Sequence, residues 1–142
     1  MTEPEILRCV CTREQFHPVP SENVRWLAPR ADFYRYQQML QTRGVEPPSL
    51  EEWLDWHSQG YMFAASVRQG TILAIAAVLK HSETDWELAG VRTLEKHQRQ
   101  GHGTSVSSFL TDYILSRQEQ ATCHTHEENL PMRRILANLG YH

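Results

Sequence analysis

The chain has 142 residues, enough for one domain with a sizeable core. With 40% hydrophobic and 22% charged residues it reads as globular, and a net charge of -3 gives no bulk electrostatic pull toward nucleic acid or anionic lipid. No apolar run approaches the ~20 residues of a membrane helix, and the opening MTEPEILRCV lacks the basic-then-apolar order of a secretion signal. A cytoplasmic protein is expected, with neither nucleic acid nor membrane as partner. The odd set of cysteines, Cys9, Cys11 and Cys123, suits a reducing compartment. Cys9-Val10-Cys11 is too tightly spaced for a zinc knuckle and reads as two half-buried thiols on one strand face.

In chain order, residues 6–11 (ILRCVC) suggest a strand, and 12–23, with Pro18 and Pro20, a loop. Residues 24–28 suggest a short strand. A helix is expected over about 31–42, although Phe33, Tyr34, Tyr36 and Leu40 make no clean stripe. Ser49-Leu50-Glu51-Glu52 has the form of a capping box and opens a second helix, to about Ser58, with Trp53 and Trp56 on one face. Three strands follow, 61–68, 71–81 and 86–93, the first two joined by the tight turn Gln69-Gly70. Val106, Phe109, Leu110, Tyr113 and Ile114 recur at helical spacing and predict a helix to about Arg117. A short strand, 121–125, and a last helix, 129–139 ended by Gly140, complete the chain. The order predicts one α+β domain over 1–142, a mixed, mostly antiparallel sheet flanked by helices, with residues 1–21 as an N-terminal extension.

The junction HQRQGHGTS, residues 97–105, carries the chemistry. A strand that feeds a glycine loop and then a helix presents unpaired backbone N–H groups and the positive end of the helix dipole, a site for phosphate. The segment has no Gly-Lys-Ser/Thr, which excludes a P-loop. Val106 stands where a dinucleotide fingerprint needs its third glycine.

Gln98-Arg99-Gln100-Gly101-His102-Gly103 resembles the Gln/Arg-x-x-Gly-x-Gly/Ala signature of the GNAT superfamily, the acetyl-CoA-dependent N-acetyltransferases. NLPMRRILANLGY resembles the superfamily's last conserved helix, with Asn129, Met132, Gly140 and Tyr141 in register. The resemblance covers about 22–142. It implies a GNAT-like fold with an acetyl-CoA-binding core over 86–139, acetyl-CoA as co-substrate and no metal. It implies that the backbone of Val91, Arg92 and Thr93 meets the pantetheine arm. The loop of Gln98, Arg99, Gln100, Gly101, His102, Gly103 and Thr104 would hold the pyrophosphate, with His102 pointing outward, and Asn129 would contact the CoA arm. The implied reaction is direct acetyl transfer to a primary amine, on a small molecule or a peptide. A catalytically impaired acyl-CoA-binding or regulatory module of the same fold is the alternative.

By the same resemblance Glu87, four residues before Val91, stands where some relatives carry a general base; the other reading leaves it facing solvent at a strand end. Leu136 occupies the place where many relatives have a proton-donating tyrosine, and Tyr141 lies too far along to replace it. His124 and His126 share a strand face and could assist proton transfer. Trp53, Trp56 and Phe33 are read mainly as core. The superfamily usually continues with two more strands, so the strand 121–125 is expected to have an open edge. Either a homodimer forms around that edge or residues 6–11 pair with it.

Overall fold

The computed structural model describes residues 5–94, 97, 98 and 100–142. Its elements are β1 (Ile6–Thr12), β2 (Val24–Trp26), α1 (Phe33–Thr42), α2 (Leu50–Ser58), β3 (Tyr61–Arg68), β4 (Thr71–Lys80), β5 (Trp86–Thr93), α3 (His102–Leu115), β6 (Gln120–His126) and α4 (Leu130–Leu139). The strands form one sheet in the order β1-β6-β5-β4-β3-β2. Every neighbouring pair is antiparallel except β5 and β6, which run parallel. The fold is the expected α+β arrangement.

Helices cover both faces. On one, Val106, Leu110 and Ile114 of α3 and Leu136 and Leu139 of α4 pack on Val78 and Leu88 of the sheet. On the other, Tyr36 and Leu40 of α1 and Trp53 of α2 pack on Ile72 and Ile75. Covered on both sides, β4 is buried over most of its length, as its run ILAIAAV suggests. Trp53 is fully buried, lies 4.2 Å from the Tyr36 ring and donates its indole N–H to the Pro29 carbonyl at 2.6 Å, so it is core, as expected.

Local signals acted as read in two places. The Ser49 hydroxyl accepts from the Glu52 N–H, and the Glu52 carboxylate accepts from the Ser49 N–H, which closes the capping box. The hairpin turns on Gln69 and Gly70, both at positive φ. Other ends moved by one or two residues. The helix expected from residue 31 starts at Phe33, and that expected to run to Arg117 ends at Leu115. The strand expected over 24–28 is assigned only to Trp26; Leu27 still donates to the Phe63 carbonyl, and Pro29 has no N–H with which to continue.

The larger correction concerns the sheet edge. Residues 6–12, read from the sequence as part of an extension, lie inside the sheet. β1 pairs with β6 from Ile6↔His126 to Thr12↔Gln120, so the edge expected to be open is covered by this chain's own N-terminal strand. The homodimer expected around that edge loses its ground. The outer side of β1 is itself partly paired: Val10 and His142 exchange N–H···O=C bonds of 2.8 and 2.9 Å.

Candidate active site

The site grows from an irregularity in β5. Ile75 pairs with Arg92 and Ala77 with Ala89, so β5 takes three steps where β4 takes two. The extra residue is a β-bulge at Gly90–Val91, with Gly90 at φ +62°. On its other side β5 has a single registered pair with β6, Glu87↔Thr122. Beyond it lies a cavity of about 430 Å³ between the end of β5, the start of α3 and the face of α4.

Val91, Arg92, Thr93, Gln98, Gly101, His102, Gly103, Thr104 and Asn129, which the sequence singled out, all line this cavity. Gln100 is not among the lining residues, and Arg99 lies outside the described residues. Gly101 precedes α3 at φ +86°, a conformation that costs a side-chain-bearing residue strain, and a Cβ there would meet nothing within 4 Å. The loop backbone therefore faces open space. The first bond of this helix start runs from the Ser105 N–H to the Gly101 carbonyl at 2.9 Å, which leaves the N–H groups of His102, Gly103 and Thr104 ahead of it. Gly103 lets α3 approach β5: a Cβ there would stand 3.0 Å from Thr93 Oγ1 and 3.4 Å from Ile135 Cδ1.

Two side chains depart from expectation. The His102 ring does not point outward: its Nδ1 lies 3.5 Å from Ser66 Oγ, and its Nε2 is buried with no partner among the described residues. Burial, with Arg68 and His97 nearby, lowers its pKa. Asn129 caps α4 by accepting the Met132 N–H on Oδ1 at 3.2 Å, and it lines the cavity.

Charge is concentrated here in a way no local motif announced. Arg43, at the end of α1, Arg92 on β5 and Arg134 on α4 all line the cavity, and among the described residues no carboxylate does. Arg43 donates to the Thr93 carbonyl at 2.6 Å. The Leu94 N–H goes to Leu73 on β4, so the Thr93 carbonyl is turned the other way, where that arginine takes it. In a chain of net charge -3 this is a local concentration of positive charge among the described residues.

A second cavity, of about 700 Å³, lies against the α1 and α2 face and shares Arg92 with the first. Its walls include Tyr36, Trp56, Tyr61, Phe63, Ala77 and Ala89, beneath the loop Val45–Pro48. Trp56 is thus part of a cavity wall, while Phe33, like Trp53, packs with the core. One row along the sheet from Ala77 and Ala89, Leu79 pairs with both Tyr61 and Glu87.

Glu87 does not face open solvent. Its side chain is 12% exposed and bridges three strands: Oε1 is 2.6 Å from His81 Nε2, and Oε2 is 3.1 Å from His124 Nδ1. The sequence offered His124 as a candidate for proton transfer but not its contact with Glu87, and His81, the residue after β4, was not singled out. His126 is opposite Ile6 and exposed. Leu136 is buried in the core. The Tyr141 hydroxyl pairs with Thr111 Oγ1 at 2.8 Å, and burial pushes its pKa up, so it is structural. Burial raises the Cys11 pKa to about 11 and the Cys123 pKa to about 12, which leaves unreactive thiols. Among the described residues no group of three His, Cys, Asp or Glu side chains is placed to hold a metal, and no helix is long and apolar enough to cross a membrane.

The fold is that of the GNAT superfamily. A family profile described as FR47-like protein matches residues 58–142, and the chain belongs to that family. A putative GNAT-family acetyltransferase from Novosphingobium aromaticivorans superposes with a TM-score of 0.74 at 16% identity, covering 96% of this chain and 58% of that one. A GNAT-family acetyltransferase from Colwellia psychrerythraea gives 0.76 at 13% identity, over 99% of this chain and 53% of that one. An aminoglycoside 6'-N-acetyltransferase solved in complex with coenzyme A gives 0.55 at 16% identity, over 66% and 56%. The chain thus spans little more than half the length of these structures. No curated relative is similar enough in sequence to match.

Proposed function

We propose that the protein transfers an acetyl group from acetyl-CoA to a primary amine, directly and without a covalent enzyme intermediate. The observation that carries this reading is the pairing of two cavities through Arg92, one a cationic glycine-loop slot and the other an open chamber whose wall residue Tyr61 pairs with Leu79, the cross-strand neighbour of Glu87. The slot fits acetyl-CoA. Among the described residues its lining holds three arginines and no carboxylate, its helix start carries N–H groups ahead of the first helical bond, and no Cβ would be blocked at Gly101.

Bound there, acetyl-CoA would supply an activated carbonyl. The N–H groups of residues 102–104 would hold its pyrophosphate, with Arg43 and Arg134 supplying charge from the opposite walls. Glu87 would take a proton from the acceptor ammonium so that the amine can attack. His81 and His124 fix the orientation of that carboxylate and give the proton a route to solvent, since each is about two-fifths exposed. With Leu136 buried, no side chain of α4 donates a proton from that position. A binding module without catalysis would leave both the second cavity and the His81–Glu87–His124 bridge without a role.

The test follows free thiol release from acetyl-CoA with purified protein and an amine panel. Glu87→Gln is expected to lower kcat by about 10²-fold while leaving CoA affinity unchanged. CoA binding with no turnover of any amine would return the protein to the binding-module reading. Absence of CoA binding would overturn the whole assignment.

A further inference from the structure

Resting on the acetyl-transfer reading, we propose that the acceptor is a monoamine carried on a flat apolar body, an arylalkyl amine, seated in the second cavity. The cavity, at about 700 Å³, has the size of small-molecule sites. Its wall is aromatic and fixed in place. Phe63 packs 4.7 Å from Trp53, itself fully buried, and Tyr61 stacks on Phe63 at 5.9 Å with 19° between the planes. Trp56 closes the α2 side, 6.3 Å from Trp53. Rings held this way present flat faces that need no reordering when a ring-bearing ligand enters.

Charge narrows the class further. The lining carries two carboxylates, Glu46 and Glu52, and one arginine, Arg92. Glu46 has no cationic partner among the described residues. A lining with one negative charge in excess suits a single ammonium. A polyamine or aminoglycoside would bring several charges to an apolar wall that cannot pair them, at a desolvation cost. A free carboxylate on the acceptor would meet Glu46 and Glu52.

The experiment measures both binding and turnover. Phenethylamine, phenylalanine, spermidine and an aminoglycoside are titrated calorimetrically into CoA-loaded protein, and the same four are assayed for thiol release with acetyl-CoA. Phenethylamine is expected to bind and to exceed the other three by about tenfold or more in kcat/KM. Trp56→Ala is expected to raise KM for phenethylamine by about tenfold with CoA affinity unchanged, which also shows that the variant is folded. Preference for spermidine, the aminoglycoside or phenylalanine, or an unchanged KM in the variant, overturns the acceptor class and leaves acetyl transfer standing. Phenethylamine binding with no turnover upholds the class and overturns the transfer reading. Failure of phenethylamine to bind overturns the class.

Discussion

Asp32 shows how a residue can hold its place for a reason its local sequence does not display. It stands at the N-cap of α1, where aspartate commonly accepts a helix N–H, yet its side chain makes no such bond. It accepts instead from Arg25 Nη1 and Nη2, both at 2.9 Å, from the Ala28 N–H at 2.6 Å and from Arg35 at 3.3 Å, and so ties β2 to α1. The Arg25 hydrogen bond, opposed by burial, brings its pKa from 3.8 down to about 2. A carboxyl with a lower pKa folded than unfolded stabilises the fold above its unfolded value, and that contribution fades as the pH falls toward the folded value. About 2 kcal/mol is therefore expected to be present at pH 7 and about half of it lost by pH 3. Urea denaturation of the wild type and Asp32→Asn checks this. The gap between them should narrow from pH 7 to pH 3, and a gap that stays constant would remove Asp32 from the acid limb.

Among the elements, β1 has the most to lose. Seven residues pair with β6 in unbroken register, and Cys11 enters the core shared by α3 and α4. Removing residues 1–12 exposes the N–H and C=O groups along one side of β6, an edge that invites pairing with another chain. The truncated protein is expected to melt well below the full chain and to self-associate in light scattering at micromolar concentration. An unchanged melting temperature would mean that β1 contributes little to the fold. The strand that covers this edge comes from more than a hundred residues away in the sequence.

Across the whole molecule, the candidate donor slot is assembled from α1, β5, α3 and α4, which belong to opposite faces of the sheet. A ligand there touches both layers, so its binding should stabilise the entire fold. At a hundredfold excess over Kd, CoA is expected to add about 2.7 kcal/mol, which raises the melting temperature by several degrees in a chain of this size. In Gly101→Asp the shift should shrink strongly. The residue must adopt a left-handed conformation, and its carboxylate would stand against the pyrophosphate at the helix start. An equal shift in the variant would place CoA elsewhere.

The sequence alone carried the order of the elements and most of the donor slot. Capping boxes, hairpin turns and helical spacing are local, because a few consecutive residues set the hydrogen bonds and dihedrals involved. For the same reason Gly101, Gly103 and Thr104 could be placed in advance, since a glycine loop before a helix fixes its own N–H groups, while Asn129 was placed only through the family resemblance. Non-local neighbours were not legible. Arg43 reaches Thr93 across 50 residues, and Arg134 faces the slot from the last helix. Their position depends on how α1 and α4 pack on the sheet, which no short window encodes. Glu87 was singled out, but its setting between His81 and His124 depends on three strands lying side by side. The covering of β6 by β1 was open for the same physical reason. An alternating strand marks which of its faces is buried, while its partner is set by the competition of every edge in the folded chain.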